Sequence, residues 1–558
     1  MRLHRFVFAV ALIAFLFGHL PAHAGDEAEP AGSKGGGNNE WKKEFEPEDD
    51  SWKSVKQELV FNNGGDPETL DPAKMTGVPE HTLALALYEG LVSHDPETLE
   101  PRPGVATHWT MSADGKTYTF HFRADAKWSN GERITAEDFR WSYFRVLHPA
   151  TISQYAYMLD PIDGALAFRT AGKTDYEAFK KEVGVEVVDD RTLKIRLHAP
   201  CAYFLDLCAF ETYMPVHRAT VEKFGDKWTR EENFVGNGPF VLAENKPRLR
   251  LVMTPNKHYW DAGFVKLTKI SALPLEDLDQ VYNKFVKKEV DWIKSVPSAK
   301  IDEIEKLDEY YVSPYLGTYF YRFNVDRPHL KDKRVRKALS LAVNRETITK
   351  DVMRGGQIPA NWFCPAVAGY NPAQGLDYNP DEARRLFAEA GYPKGEGYPD
   401  LMLLYNTQED HKKVAEAIAQ MWRENLGIRV KLRNSEWKVY LVDVRAQNYD
   451  VGRAGWIGDY GDPMTFMDMW LTGGGNNNTG WGRKRYDELI QKAAIEFDNK
   501  KRYAYFREAE AMLIADEFPI LPIYIYVNQG MKRDSLRGWY ENYRDLHPFQ
   551  YMYYEPEE

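Results

Sequence analysis

Three cysteines in 558 residues, Cys201, Cys208 and Cys364, are too few for a disulfide-stapled fold, and an odd number leaves at least one thiol unbridged. Cys201 and Cys208 are close enough in sequence to bridge locally. Residues 199–205, however, read as a strand end running into a buried helix, where a free cysteine behaves as a small apolar residue, so no disulfide is expected. His198 beside this pair does not complete a zinc spacing. No long run of Lys or Arg occurs and the formal net charge is −11, which argues against nucleic acid as a partner, because that affinity rests on cations clustered at phosphates. A G-x-S-x-G elbow, an H-E-x-x-H pair, a P-loop and a C-x-x-C motif are all missing. The familiar signatures of catalysis are therefore absent, and no metal or cofactor is expected.

The longest apolar run, residues 6–17, falls short of the ~20 residues that a membrane-spanning helix needs. With Arg2 and Arg5 before it and Ala22-His23-Ala24 after it, residues 1–24 read as a cleavable secretory signal. No cysteine follows the run, so a lipid anchor is not expected, and the mature chain would begin near Gly25 in a periplasm. Losing Arg2 and Arg5 moves the formal charge from −11 to −13. Residues 25–51 are acidic and Gly-rich with almost nothing apolar, and a flexible leader is expected there, with ordered structure starting near Trp52. What remains is more than one core usually sustains, so two or three lobes are expected. Aromatic residues make up 14%, with 15 Trp and 33 Tyr, a surplus of flat half-polar surface suited to lining clefts.

Strand and helix signals alternate before residue 220. Residues 58–61 form a short strand, 79–91 have helical apolar spacing, and 116–122 alternate with period two after the Asp114-Gly115 turn. Thr135 with Asp138 makes a capping-box pattern that opens a helix through Val146. A hairpin is expected over 185–197, and strands from Phe240 to Met253. The second half is more evenly α/β. Helices are predicted over 334–343, 381–390 and 411–426, the last ended by Gly427, with strands 401–404 and 428–432 around it as a βαβ unit. Trp437 begins a further helix, a strand at 449–451 leads into residue 453, and 520–528 reads as an apolar strand broken by Pro522, where the chain passes between lobes. The adjacent carboxylates Glu409-Asp410 and Asp49-Asp50 read as solvated faces; a glycosidase would need two carboxyls facing each other across a cleft.

The most informative stretch is Arg453-Ala454-Gly455-Trp456-Ile457-Gly458-Asp459-Tyr460-Gly461-Asp462-Pro463. It sets Asp459 among glycines and aromatics just past a strand, where open α/β sheets place ligands. A carboxylate there suits capture of an ammonium group; the plainer alternative is an Asp that caps the turn before Pro463. This stretch, with residues 128–139, Asn237-Gly238-Pro239-Phe240, Tyr259-Trp260-Asp261, residues 404–413 and Glu436-Trp437-Lys438, resembles the dipeptide-, oligopeptide- and murein-peptide-binding proteins of ABC importers, in consistent order from about residue 57 to 554.

The resemblance implies an α/β, two-lobed hinged periplasmic binding protein of type II-like build. Lobe I would comprise 52–88, 215–316 and 527–558, with an extra small α/β domain over 89–214, and lobe II would comprise 317–526. Asp459 would pair with the peptide α-ammonium. Gly455 and Ile457 would offer backbone groups to an extended ligand, as Thr76, Gly77 and Val78 would from the opposite lobe. Trp437 and Trp456 would wall side-chain pockets, with Tyr155 entering from the extra domain. Arg453 and His411 would meet ligand carboxylates; a further cationic position of the family, after Asn344-Arg345, aligns with Asp351, Met353 or Arg354, of which Arg354 would substitute. Plainer readings stand beside these: His411 as a helix cap, Arg453 as a brace for Asp459, either Trp as core. The family's cysteine pair beside the cleft is replaced by Gly317 and Ile457, so that disulfide is absent.

The implied function is capture of short peptides and their delivery to an inner-membrane ABC permease, by a monomer without chemistry of its own. Three alternatives stay open. They are a binder of another solute on the same fold (a murein peptide, a nickel chelate or a sugar), a secreted hydrolase using cleft carboxylates, and an interaction protein, chaperone-like or a signalling ectodomain, using the aromatic surface.

Overall fold

The computed structural model describes residues 40–556, so the expected signal and the leader up to residue 39 lie outside the described residues. The chain divides into two compact units. The described part of the first comprises 40–275, 284–293 and 532–556; the second comprises 276–283 and 294–531. These divisions differ from the expected 316/317 and 526/527. The reason is the long strand Tyr310–Phe323, whose first residues, 310–314, already pair with residues 527–531.

In the first unit β1 (Glu58–Asn62) leads through a loop to α1 (Val78–Leu87). The hairpin β2 (Ala106–Met111) and β3 (Thr117–Phe122) turns at Gly115, whose φ of 67° is the left-handed value the turn requires. α2 (Ala136–Leu147) opens with the Thr135/Asp138 capping box. β4 (Val185–Asp189) and β5 (Thr192–Arg196) complete an antiparallel sheet of order β2-β3-β5-β4. Strands β6 (Phe240–Lys246), β7 (Arg250–Pro255), β8 (Lys269–Leu273) and β9 (Trp292–Ile293) join β1 in the order β9-β1-β8-β7-β6.

The leader expected over 25–51 is corrected from Glu40 onward. Residues Glu40–Phe45 form a 3-10 turn in which Lys42 and Phe45 are buried. Phe45 packs edge-on against Tyr540 and Tyr551, with centroids 5.4 and 5.3 Å away. Lys42 pairs with Asp261 and lies over the Trp260 ring, 4.2 Å from its centroid. Composition missed this because one phenylalanine and one lysine stem suffice when aromatic partners await them elsewhere in the chain.

In the second unit β10 (Tyr310–Phe323), α3 (Lys333–Leu341), α4 (Pro380–Glu389), β11 (Leu401–Asn406), α5 (Glu409–Leu426), β12 (Val430–Ser435), α6 (Trp437–Arg445), β13 (Val451–Ile457), α7 (Lys484–Ile495), α8 (Asn499–Ala511) and β14 (Ile520–Lys532) follow in order. Their sheet runs β12-β11-β13-β10-β14. β11 is parallel to β12 and β13, while β10 is antiparallel to both its neighbours. α5 buries Val414, Ile418 and Trp422, each one turn apart, against Tyr319, Tyr321 and Leu403, and ends at Gly427 with φ 74°. Pro522 does not break β14 as expected. The strand continues to Lys532, and the ladder absorbs the proline through a register shift at Tyr319/Phe320.

Gly317 and Ile457 are direct cross-strand partners, and a Cβ on Gly317 would collide with the Ile457 side chain. Where a cysteine pair was expected to be replaced, an isoleucine thus fills the space a glycine leaves. Cys201, Cys208 and Cys364 are not bridged to one another, and the last two are buried.

Candidate functional site

β13 pairs with β10 from Val451 to Ile457, but its other side meets β11 only at Val451 and Gly452. From Arg453 onward that side has no strand partner among the described residues. Backbone groups alternate between the two sides of a strand. The Arg453 carbonyl faces away from β10, since it accepts the Tyr440 hydroxyl, so Gly455 and Ile457 turn their peptide groups to the same open side. Such an edge accepts an extended peptide by strand addition. Gly455 is needed there for a second reason: a Cβ would lie 2.5 Å from the Tyr526 hydroxyl.

Two residues beyond β13, Asp459 is half-buried and held by Thr465. The Asp459 N–H donates to Thr465 Oγ1 at 3.0 Å, and the Thr465 hydroxyl lies 3.3 Å from Asp459 Oδ2. Trp456 is buried, and its Nε1–H donates to the same hydroxyl at 3.4 Å. Trp456 therefore braces the turn that carries Asp459. Thr465 was not foreseen, since a lone threonine after Pro463 gives no pattern to read.

At the other end of the open edge lies Arg453, buried at 9% exposure. It donates to Asn406 Oδ1 at 3.1 Å and to the Tyr526 hydroxyl at 2.6 Å, and its guanidinium carbon is 4.6 Å from the Tyr319 ring centroid. Its Nε has no partner, and none of the neighbours is an anion. It makes no contact with Asp459, which removes the bracing alternative. His411 packs on Tyr319 at 5.6 Å and is buried, so it is not a helix cap. Burial, then the nearby Arg453 charge, holds its imidazole well below the ordinary value of 6.5. Asp410, expected on a solvated face, is instead buried by the first turn of α5, where it accepts the Ser298 hydroxyl at 2.6 Å.

Trp437 is half-buried, stacks on Tyr440 at 5.7 Å and packs on the cluster of Leu404, Tyr440, Val444 and Tyr449. Arg354 stands apart: it is exposed, left-handed at φ 59°, and paired with Asp302 at 2.7 Å. In the first unit Gly77 precedes α1 as its N-cap, Thr76 and Gly77 are half-buried, and Val78 is exposed. Tyr155 is buried against Phe210, which stacks on His81 in the first turn of α1. The sequence reading missed Tyr526, Tyr440 and Asn406. The alternating tyrosines of 524–526 were the available signal.

Residues 100–478 match the model described as "Bacterial extracellular solute-binding proteins, family 5 Middle". The periplasmic murein peptide-binding protein MppA of Escherichia coli K12 is 38% identical over 496 residues, 87% of this chain and 90% of that protein. Its solved structure, as the murein tripeptide binding protein, superposes with a TM-score of 0.86 at 37% identity, covering 90% and 99% of the two chains. Haemophilus influenzae OppA in complex with RPPGFSPFR gives a TM-score of 0.86 at 34% identity with the same coverage. The probable deoxycholate-binding periplasmic protein YgiS of E. coli is 34% identical over 478 residues, 84% of this chain and 88% of that protein.

Proposed function

Because this chain belongs to the family 5 bacterial extracellular solute-binding proteins, we propose that it captures short peptides and delivers them to an ABC permease of the inner membrane. The observation that carries this is the open edge of β13, bounded at one end by the Asp459 carboxylate and at the other by the Arg453 guanidinium, which has no counter-anion among the described residues. An extended chain with a free ammonium and a carboxylate complements that order of groups, and main-chain hydrogen bonds to Gly455 and Ile457 would be the same for every peptide sequence. Thr76, Gly77, Val78 and Tyr155 are assigned to peptide contact on the family resemblance alone. The protein acts in the periplasm, as a monomer, and performs no reaction on its ligand.

Calorimetry with tri- and tetrapeptides tests this. Free peptides should bind, their N-acetylated forms should not, and no cleavage product should appear. Asp459→Asn should lose ~3–5 kcal/mol of binding, the cost of leaving one member of a buried charge pair alone, while its melting curve stays in place. Equal binding of acetylated and free peptides would remove the ammonium role of Asp459. Binding of a bile acid in place of peptides would move the chain to the ligand class that YgiS is named for.

A further inference from the structure

Seven arginines are buried among the described residues: Arg322, Arg336, Arg345, Arg453, Arg502, Arg533 and Arg544. Six of them are hydrogen-bonded. Arg336 donates to the carbonyls of Leu330, Lys331, Glu517 and Phe518, Arg345 to Pro522 and Leu376, and Arg533 to Phe285 and Val290. Arg502 and Arg544 have carboxylates, Asp462 and Asp206, and Arg453 has Asn406 and Tyr526. The Arg322 side chain, in a residue 7% exposed, has no hydrogen bond or ion pair among the described residues; its Nε is buried, and the Phe320 ring centroid lies 5.6 Å from its guanidinium carbon. With its Nε buried and unpartnered and its other nitrogens unclaimed by the described residues, this guanidinium is poised to take an anion from elsewhere.

The fold says where that anion would sit. Arg322 lies in one row with Gly452 and Leu404, and Leu404 belongs to the cluster beneath α6 with Tyr440 and Trp437. Gly452 puts no side chain between them; a Cβ there would be 3.2 Å from the Tyr449 ring. Burial pushes the Tyr440 and Tyr449 hydroxyls up and the Arg322 charge draws them back, which puts all three on one face, and the Tyr440 hydroxyl donates to the Arg453 carbonyl on the open edge of β13. Arg453 is on the opposite face of the sheet, packed with Tyr319 beside α5, so the two cations serve different places. We infer that Arg322 is a specificity-determining residue, which selects an acidic side chain on a peptide laid along the β13 edge, on the α6 face. The inference rests on the peptide reading and adds the ligand's charge to it.

The probes are sets of amidated tri- to pentapeptides that differ only in Glu, Gln or Lys at one internal position, titrated calorimetrically into the full mature chain. Amidation removes the terminal carboxylate, so a preference that survives belongs to the side chain. At one position Glu should bind at least about tenfold tighter than Gln, with Lys weaker still, as expected for a charge-assisted hydrogen bond. Arg322→Met should bind the Gln peptide as before, lose the Glu/Gln ratio, and melt no lower than the wild type. Equal affinities for Glu and Gln at every internal position of the wild type would overturn the inference whether or not the variant folds. So would an unchanged ratio in Arg322→Met, or a preference that vanishes on amidation. A chain that binds none of the peptides, amidated or free, would instead fail the peptide reading itself.

Discussion

Two regions of the second unit handle buried charge in opposite ways. Around α7 and α8 the buried charges Arg502 and Glu510 are saturated with partners. Arg502 forms two 2.7 Å bonds to Asp462 and a third to the Ala493 carbonyl. Glu510, wholly buried, accepts N–H groups from Phe363, Cys364 and Ala373 and the Tyr370 hydroxyl, all within 2.6–2.9 Å. On and beside β13, among the described residues, Arg453 has only neutral side-chain partners, the Arg322 side chain has none, and burial with the Arg453 charge keeps the His411 imidazole well below its ordinary value. A charge that holds the fold together is paired or fully hydrogen-bonded within the protein, because leaving it alone in a low dielectric costs several kcal/mol. A charge that awaits a ligand cannot be neutralised in advance without competing with that ligand.

The largest effect should come from breaking the closed region. Arg502→Met leaves Asp462 buried and unpaired and should lower stability by ~3–5 kcal/mol in denaturant titration, with peptide affinity of the folded fraction unchanged. A loss of affinity without loss of stability would erase the distinction between the regions. Arg453→Met should do the reverse. Peptides with a free carboxylate should bind about 1.5–3 kcal/mol more weakly, while the melting temperature holds or rises, because an uncompensated guanidinium has been replaced by an apolar chain of similar length.

A smaller effect concerns pH. The folded protein keeps His411 neutral well below 6.5, whereas the unfolded chain takes up a proton near 6.5. The unfolded state therefore binds more protons between these values. The contribution of His411 is complete above pH 6.5 and declines as pH falls from there toward the depressed folded value. Stability measured from pH 8 to 5 should show this decline, and His411→Asn should flatten it; an unchanged slope would place the titration elsewhere. The smallest effect is expected from reductant. With Gly317 against Ile457 and none of the three cysteines bridged, a melting curve should not move, whereas loss of a native disulfide would cost about 2–5 kcal/mol.

Much of the fold was legible. The capping box at Thr135, the hairpin turn at Gly115 and the Gly427 stop after α5 are local chemistry, decided by residues within a turn or two of each other, and the structure has each of them. The segment 453–459 stood out as a candidate site because it sets one carboxylate among glycines and aromatics just after a strand. Pro522 was misread, since whether a proline ends a strand depends on how the neighbouring strand adjusts its register. Lys42, Phe45 and Asp410 were misread for a related reason, as composition reports what a segment lacks and not what waits to receive it.

What the sequence determined by itself was the order of elements and the residue types along β13, because periodicity, turns and caps act over short distances. Tertiary structure alone decided that, among the described residues, the edge of β13 stays open past Gly452, Arg453 meets Asn406 and Tyr526, 47 and 73 residues away, and Arg322 meets no anion. An arginine reads the same in a sequence whether it is paired or not, and only the packing of distant strands fixes the dielectric and the partners around its charge.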